Sequence, residues 1–269
     1  MSKSKWNEEI AKIIEEDKKY IQIIDGSNHR WGKVQNNKCD AKLKEVFVDF
    51  FKFSKMGTLM DVANSIKNEK KLSSTLKKYA FKRALNIRNS WLDEAYISKF
   101  EGVTFSESIY SYWDFEYKGI KWDLKTSQAP YNFDGFKSLE SIAENTNDFI
   151  RAMFYNASTG SRANPYKHNE SNRFFLIFKS DKDEKYYECG DTMNTTILRS
   201  NFNVKERVFD YIFNNFSDEN IFHLKNVKYY WKNNKKEMEE HIYKDVFAFV
   251  CLINEDKNGK ININMLKNN

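Results

Sequence analysis

The stretch Tyr112-Trp-Asp-Phe-Glu-Tyr-Lys-Gly-Ile-Lys-Trp-Asp-Leu-Lys125 decides the fold. Its alternation predicts a β-hairpin about a two-residue turn, Lys118-Gly119. With that turn, Glu116 faces Lys121, Asp114 faces Asp123 and Tyr112 faces Lys125. One face then carries Trp113, Phe115, Tyr117, Ile120, Trp122 and Leu124, all apolar. The other carries Tyr112, Asp114, Glu116, Lys121, Asp123 and Lys125. A slip of one residue would bury the charges, so the register is strongly specified.

The polar face sets two carboxylates against each other. At roughly 5 Å and an effective dielectric near 20, their repulsion is on the order of 3 kcal/mol. Solvation, protonation of one carboxyl or a bound cation would relieve it. Asp114, Asp123 and Lys125 together form the set that a magnesium-assisted phosphodiester hydrolase uses. The carboxylates hold Mg²⁺, the ion acidifies a bound water, and the lysine orients that water or offsets charge in the transition state. The same face also suits a plain solvent-exposed surface with complementary charges.

Working outward, no Gly or Pro falls between Gly57 and Gly102, and Leu76, Ala80, Ala84, Ile87, Trp91 and Ala95 recur at helical spacing, with Ser73 or Ser74 as N-cap. Residues 5–24 and 41–54 also read as helices; Thr58 to Tyr79 lacks the turn glycine of a helix-turn-helix. Downstream, Ser141 and Glu144 form a capping-box pattern ahead of Ile142, Thr146, Phe149, Ile150, Met153, Phe154 and Ala157 on one helix face. The apolar run Phe174 to Phe178 suits a strand buried on both faces. A helix is expected near Val204 to Asn215, with further helical segments to about Lys244. A last hairpin turns at Asn258-Gly259, between Val246–Asn254 and Ile261–Met265.

With these elements in place, the chain resembles the PD-(D/E)xK nuclease superfamily, the fold of many restriction and repair endonucleases. Trp113-Asp114 stands in for the first motif and Asp123-Leu124-Lys125 for the second. Trp113 replaces the usual proline, and Asp123 stands where Glu is commoner. The resemblance covers about residues 75–180 and implies the order helix, three-stranded meander, helix, core strand. It implies that Asp114 and Asp123 bind Mg²⁺ and that Lys125 assists the water. It also implies a further acid on the preceding helix, best matched by Glu94, with Glu101 and Glu107 as rivals.

The fold class expected is therefore α/β, with a restriction-endonuclease-like core at 73–200. A helical N-terminal region at 1–72 precedes it, and a helix-plus-hairpin extension at 201–269 follows. The resemblance implies a Mg²⁺-dependent endodeoxyribonuclease of the type II restriction or phage-defence kind, acting on double-stranded DNA, with a homodimer as the expected assembly. The alternatives are an inactive nucleic-acid-binding module on the same fold, a protein-interaction domain, and an enzyme that cuts RNA.

Charge agrees with a polyanionic partner. The 269 residues carry a formal charge of +6, and residues 1–90 hold 20 Lys/Arg against 11 Asp/Glu. The densest run contains Lys67, Lys70, Lys71, Lys77, Lys78, Lys82, Arg83 and Arg88 against Glu69 alone, a stripe suited to phosphates or to solvent. The polar loop before Phe174 adds Arg162, His168, Asn172 and Arg173 as phosphate or base contacts. Lys121 and Gln128 are weaker candidates. His29, His223 and His241 lack metal-ligand spacing.

Composition excludes other classes. At 41% hydrophobic and 30% charged residues, with nine Gly and two Pro, the chain is neither collagen-like nor disordered. The charged first twenty residues show no secretory signal, and the longest apolar run, Val246 to Ile253, is too short to span a bilayer. Cys39, Cys189 and Cys251 match neither a disulfide framework nor a zinc site. No P-loop or dinucleotide fingerprint is present. A soluble, cytoplasmic protein is the expectation.

Overall fold

The computed structural model describes residues 6–21, 37–106, 113–128, 142, 144–157, 172–183, 193–232 and 238–268. The chain separates into two compact units. One is helical, residues 4–99 and 182–207; the other is built on a sheet, residues 1–3, 100–181 and 208–269. No helix among the described residues is long and apolar enough to cross a membrane.

The helical unit begins with α1 (Glu8–Ile21), α2 (Asn37–Val46), α3 (Phe50–Phe53) and α4 (Leu59–Asn68). These pack on the long α5 (Ser74–Ile97), and α7 (Met193–Ser200) joins them from later in the chain. Ser73 caps α5 through the Leu76 N–H, as the sequence predicts. Because several helices surround α5, its buried positions are not one apolar stripe. Ala80, Ala84, Leu85, Leu92 and Ala95 are buried, and so are Arg88, Asn89 and Asp93. Each of these polar groups has a partner, as burial requires. Arg88 binds Asp17, Asn89 donates to Ser200 Oγ at 2.8 Å, and Asp93 binds Lys205 at 2.6 Å.

The sheet unit is a mixed α/β layer. Its strands are β1 (Thr104–Phe105), β2 (Phe115–Tyr117), β3 (Ile120–Gln128), β4 (Asn172–Ser180), β5 (Phe222–Lys232), β6 (Met238–Glu255) and β7 (Ile261–Met265). They form one seven-stranded sheet in the order β1-β2-β3-β4-β6-β5, with β7 also on β6. The first three strands are an antiparallel meander, while β3, β4 and β6 run parallel. A parallel pair needs a crossover, and α6 (Thr146–Ala157) lies in the one between β3 and β4.

The core strand β4 is buried on both faces from Phe174 to Phe178, as its unbroken apolar run demands. Phe174 stacks on Phe249 with centroids 4.1 Å apart and meets Phe115 and Trp122 edge-on. From α8 (Phe202–Asn215) and the residue after it, Phe213 and Phe216 cover this face. On the other face, Phe154 of α6 packs edge-on against Phe175 and Tyr243. The helix face expected at Phe149, Ile150, Met153 and Phe154 is buried; Ser141 lies outside the described residues.

One expectation is corrected. The described residues between Phe222 and Lys244 are not helical: β5 and the first part of β6 occupy them as a long antiparallel pair. Its Val-Lys-Tyr-Tyr-Trp composition favours strand, whereas charged residues at every few positions mimic a helical surface. The last hairpin is present between the strands expected: Glu255 pairs with Ile261, and Asn258-Gly259 lies in the five-residue loop 256–260 that joins them. Asp256 stabilises that loop by accepting from the Asn258 and Lys260 N–H groups, and Gly259 supplies the positive φ of 85°.

Candidate active site

The hairpin turns where the sequence says. Glu116 pairs with Lys121 and Tyr117 with Ile120. Lys118 and Gly119 have φ of 50° and 76°, the two positive values of a type I′ turn. Gly119 accepts this without strain.

Above Phe115 the ladder departs from the expectation. Phe115 pairs with Trp122, yet the Asp114 N–H also donates to the Trp122 carbonyl at 2.7 Å. Two residues oppose one, the pattern of a β-bulge. Asp114 therefore does not face Asp123 squarely. Its Oδ2 accepts the Leu124 N–H at 2.9 Å, so a side chain takes a backbone donor on the strand of Asp123. The motif tripeptide and Asp114 are brought together, by a bulge that alternation alone does not reveal.

Asp123 is fully buried, at 0% exposure. A carboxylate without water needs a partner, and it has two. Lys125 Nζ lies 2.7 Å from Oδ1. Arg173, its ladder partner on β4, sets Nη1 against Oδ2. Arg173 is itself only 1% exposed. Burial draws its pKa below the usual guanidinium value, opposed by Tyr243 and by the charge of Asp114. Two carboxylates and two cations thus balance, which removes the repulsion expected of the hairpin in isolation. The cation responsible comes from a strand about fifty residues later in the chain.

Arg173 is accordingly not a phosphate clamp: its guanidinium is spent on Asp123 inside the sheet. Tyr243, which supports it, falls in the segment read as helical and was not foreseen. The signal for Arg173 was its place at the head of an apolar run, where a charge calls for a buried partner. Asn172 bridges strands, donating to the Lys121 carbonyl at 3.0 Å and accepting the Phe247 N–H at 2.8 Å. Lys121 lies over the Trp113 ring at 5.3 Å.

The remaining candidates fall on other elements. Glu94 stands on α5 in the helical unit; Glu101 is exposed in the turn before β1. Lys78 is exposed and Arg83 lies 3.7 Å from Asp40. Lys82 is buried at 7% exposure, and Arg88 is enclosed with Asp17, so both leave the basic stripe. The helices packed around α5 bury positions that an isolated helix would expose. His223 pairs with Asp245 and stacks on Phe247. Gln128 ends β3 and His241 lies in β6. Glu107, Arg162, His168 and His29 lie outside the described residues.

Among the described residues, no three or more His, Cys, Asp or Glu side chains gather as a metal site. Mg²⁺ does not require three. It commonly takes one or two carboxylates and keeps water on its other positions. Asp114 and Asp123 carry oxygen donors of that kind, and 28% of the Lys125 side chain beside Asp123 is exposed.

Comparisons with protein-family models, curated proteins and solved structures found no match to this chain.

Proposed function

We propose that the chain is a Mg²⁺-dependent endonuclease acting on double-stranded DNA, of the restriction or phage-defence kind. The observation that carries this reading is the convergence of Asp114, Asp123 and Lys125 at the bulged end of the β2–β3 hairpin. The order helix, antiparallel meander, helix, parallel strand around them supports the PD-(D/E)xK resemblance. Lys78 and neighbouring basic residues of the helical unit would meet phosphates, and a homodimer would address both strands.

In this reading Asp114 and Asp123 would hold the ion, which would supply an acidified water and stabilise charge on the phosphate. Asp114 is oriented by the Leu124 N–H. The Lys125 ammonium orients the attacking water or offsets negative charge as the phosphodiester is attacked. Trp122 and Phe174, beneath the strands, keep the hairpin from shifting.

The test is plasmid cleavage with Mg²⁺ or EDTA, by the wild type, Asp114→Asn and Lys125→Met. Mg²⁺-dependent cutting that both variants lose supports the reading. A second reading, an inactive DNA-binding module, is favoured by the two cations already on Asp123. It predicts binding indifferent to EDTA and intact DNA with Mg²⁺ or Mn²⁺, an outcome that would refute the nuclease assignment.

A further inference from the structure

Among the described residues, β5 is bonded to β6 alone and forms one end of the sheet. Its eleven residues, Phe222–Lys232, include Val227, Tyr229, Tyr230 and Trp231, types that favour extended backbone. A long open strand of this kind is a template for another chain, and folded proteins interrupt such edges. The middle of β5 carries an interruption. Asn226 has a φ of 52°, outside the range of an extended strand. The register passes from Lys225 opposite Asp245 to Val227 opposite Tyr243 with no pair at Asn226. Successive carbonyls of a regular strand point to opposite edges, yet Arg151 on α6 takes two in a row. Its Nη2 donates to the Lys225 carbonyl at 3.0 Å and its Nη1 to the Asn226 carbonyl at 3.3 Å. The turn at Asn226 brings both within reach of one guanidinium fork. Two acceptors in the middle of the strand are thereby engaged by α6, and the edge is broken between its halves.

We propose that Asn226 and Arg151 guard this edge, and that the edge they guard is self-complementary: with the guard removed, β5 pairs antiparallel with β5 of a second copy of the chain. A strand that pairs with itself about a two-fold axis makes a closed dimer. Centred on Val227, that axis sets Lys225 opposite Tyr229, Lys228 opposite Asn226 and His223 opposite Trp231, so no like charges meet across the pair. Backbone hydrogen bonds supply the affinity, as in other strand additions. The inference stands apart from the nuclease reading and uses none of its residues.

Sedimentation of the whole chain over a range of concentrations, with amide hydrogen exchange read at residues 227–232, tests this. In the wild type, exchange at 227–232 should not change with concentration. Arg151→Met removes the fork, and Asn226→Val disfavours the positive φ. Each should double the sedimenting mass relative to wild type as concentration rises, and slow exchange at 227–232. Asn226→Gly keeps the positive φ without strain and should behave as the wild type does. Circular dichroism identifies the variants that fold. Wild-type mass and exchange in folded Arg151→Met or Asn226→Val would overturn the proposal. So would association that leaves exchange at 227–232 unchanged, or association of Asn226→Gly. Slowing of those amides with concentration in the wild type would overturn the guard too, and that readout decides even where neither variant folds.

Discussion

Replacing Arg88 by Met separates a structural cation from a DNA-facing one. In the helical unit Arg88 Nε donates to Asp17 Oδ2 at 2.5 Å and Nη2 to Oδ1 at 3.3 Å. Arg88 also donates to the carbonyls of Gly57 and Ser54 at 2.7 and 3.4 Å. Asp17 is 3% exposed and Arg88 1%, so neither recovers water when the other is removed. Removing one member of such a pair costs about 3–5 kcal/mol. Asp17 keeps the Leu59 N–H at 2.6 Å, which places Arg88→Met toward the lower end of that range. Asp17→Leu alone leaves both Arg88 and the Leu59 N–H wanting, at about 4–5 kcal/mol. The double variant loses the charges together and retains mainly the orphaned N–H, about 1–3 kcal/mol. The cycle should therefore show coupling of several kcal/mol, read by urea unfolding followed through Trp91, whose ring lies 5.7 Å from the Arg88 guanidinium carbon. A cost below about 1 kcal/mol for Arg88→Met, or additive single effects, would refute the closed pair and return Arg88 to the basic stripe.

Four further outcomes follow from the same geometry. Gly119→Ala should cost about 1–2 kcal/mol, purely from its φ of 76°, because nothing lies within 4 Å of the added Cβ; thermal unfolding measures it, and no change would contradict the type I′ turn. Thr58→Ala should cost about 1 kcal/mol, since Thr58 caps α4 in a reciprocal box with Asp61. The Thr58 N–H and hydroxyl hold the Asp61 carboxyl below its ordinary value of 3.8, so the stability this carboxylate adds is complete above that value and is lost as pH falls through the lowered one. The gap between wild type and Asp61→Asn should close over that fall; a gap constant with pH contradicts it. Phe174→Ala should cost about 3–5 kcal/mol, because the ring is fully buried among Phe249, Phe115 and Trp122; a loss under about 1 kcal/mol in urea unfolding would contradict that packing.

Local pattern carried the reading where neighbours in sequence are neighbours in space. The β2–β3 register, the N-cap of α5, the apolar face of α6 and the two-sided burial of β4 all depend on contacts within a few residues or on period alone. What stayed hidden was set by distant partners. The Asp114 bulge depends on which side chain takes the Leu124 N–H. The partner of Asp123 depends on which residue of β4 lies beside it. Lys82 and Arg88 read as surface cations until the other helices of the unit pack around α5. Between Phe222 and Lys244, simple alternation fails because the buried positions shift from Phe222 and Leu224 to Val227. Near the middle of β5, Asn226 turns to a φ of 52°, and Arg151 of α6 donates to the Lys225 and Asn226 carbonyls at 3.0 and 3.3 Å.

The position of β6 bears on how the chain is made. Strand β4 emerges during synthesis with β3 already available, but its other edge pairs only with residues Ala248 to Glu255. Elongation at roughly 5–20 residues per second leaves that edge waiting on the order of 4–15 s. For this interval Phe174 to Phe178 is an open, strongly β-forming segment, the kind that joins a neighbouring nascent chain. Arg173 and Lys179 stand at its two ends. The guanidinium that later neutralises Asp123 thus begins as one of two charged sentries on an unfinished sheet.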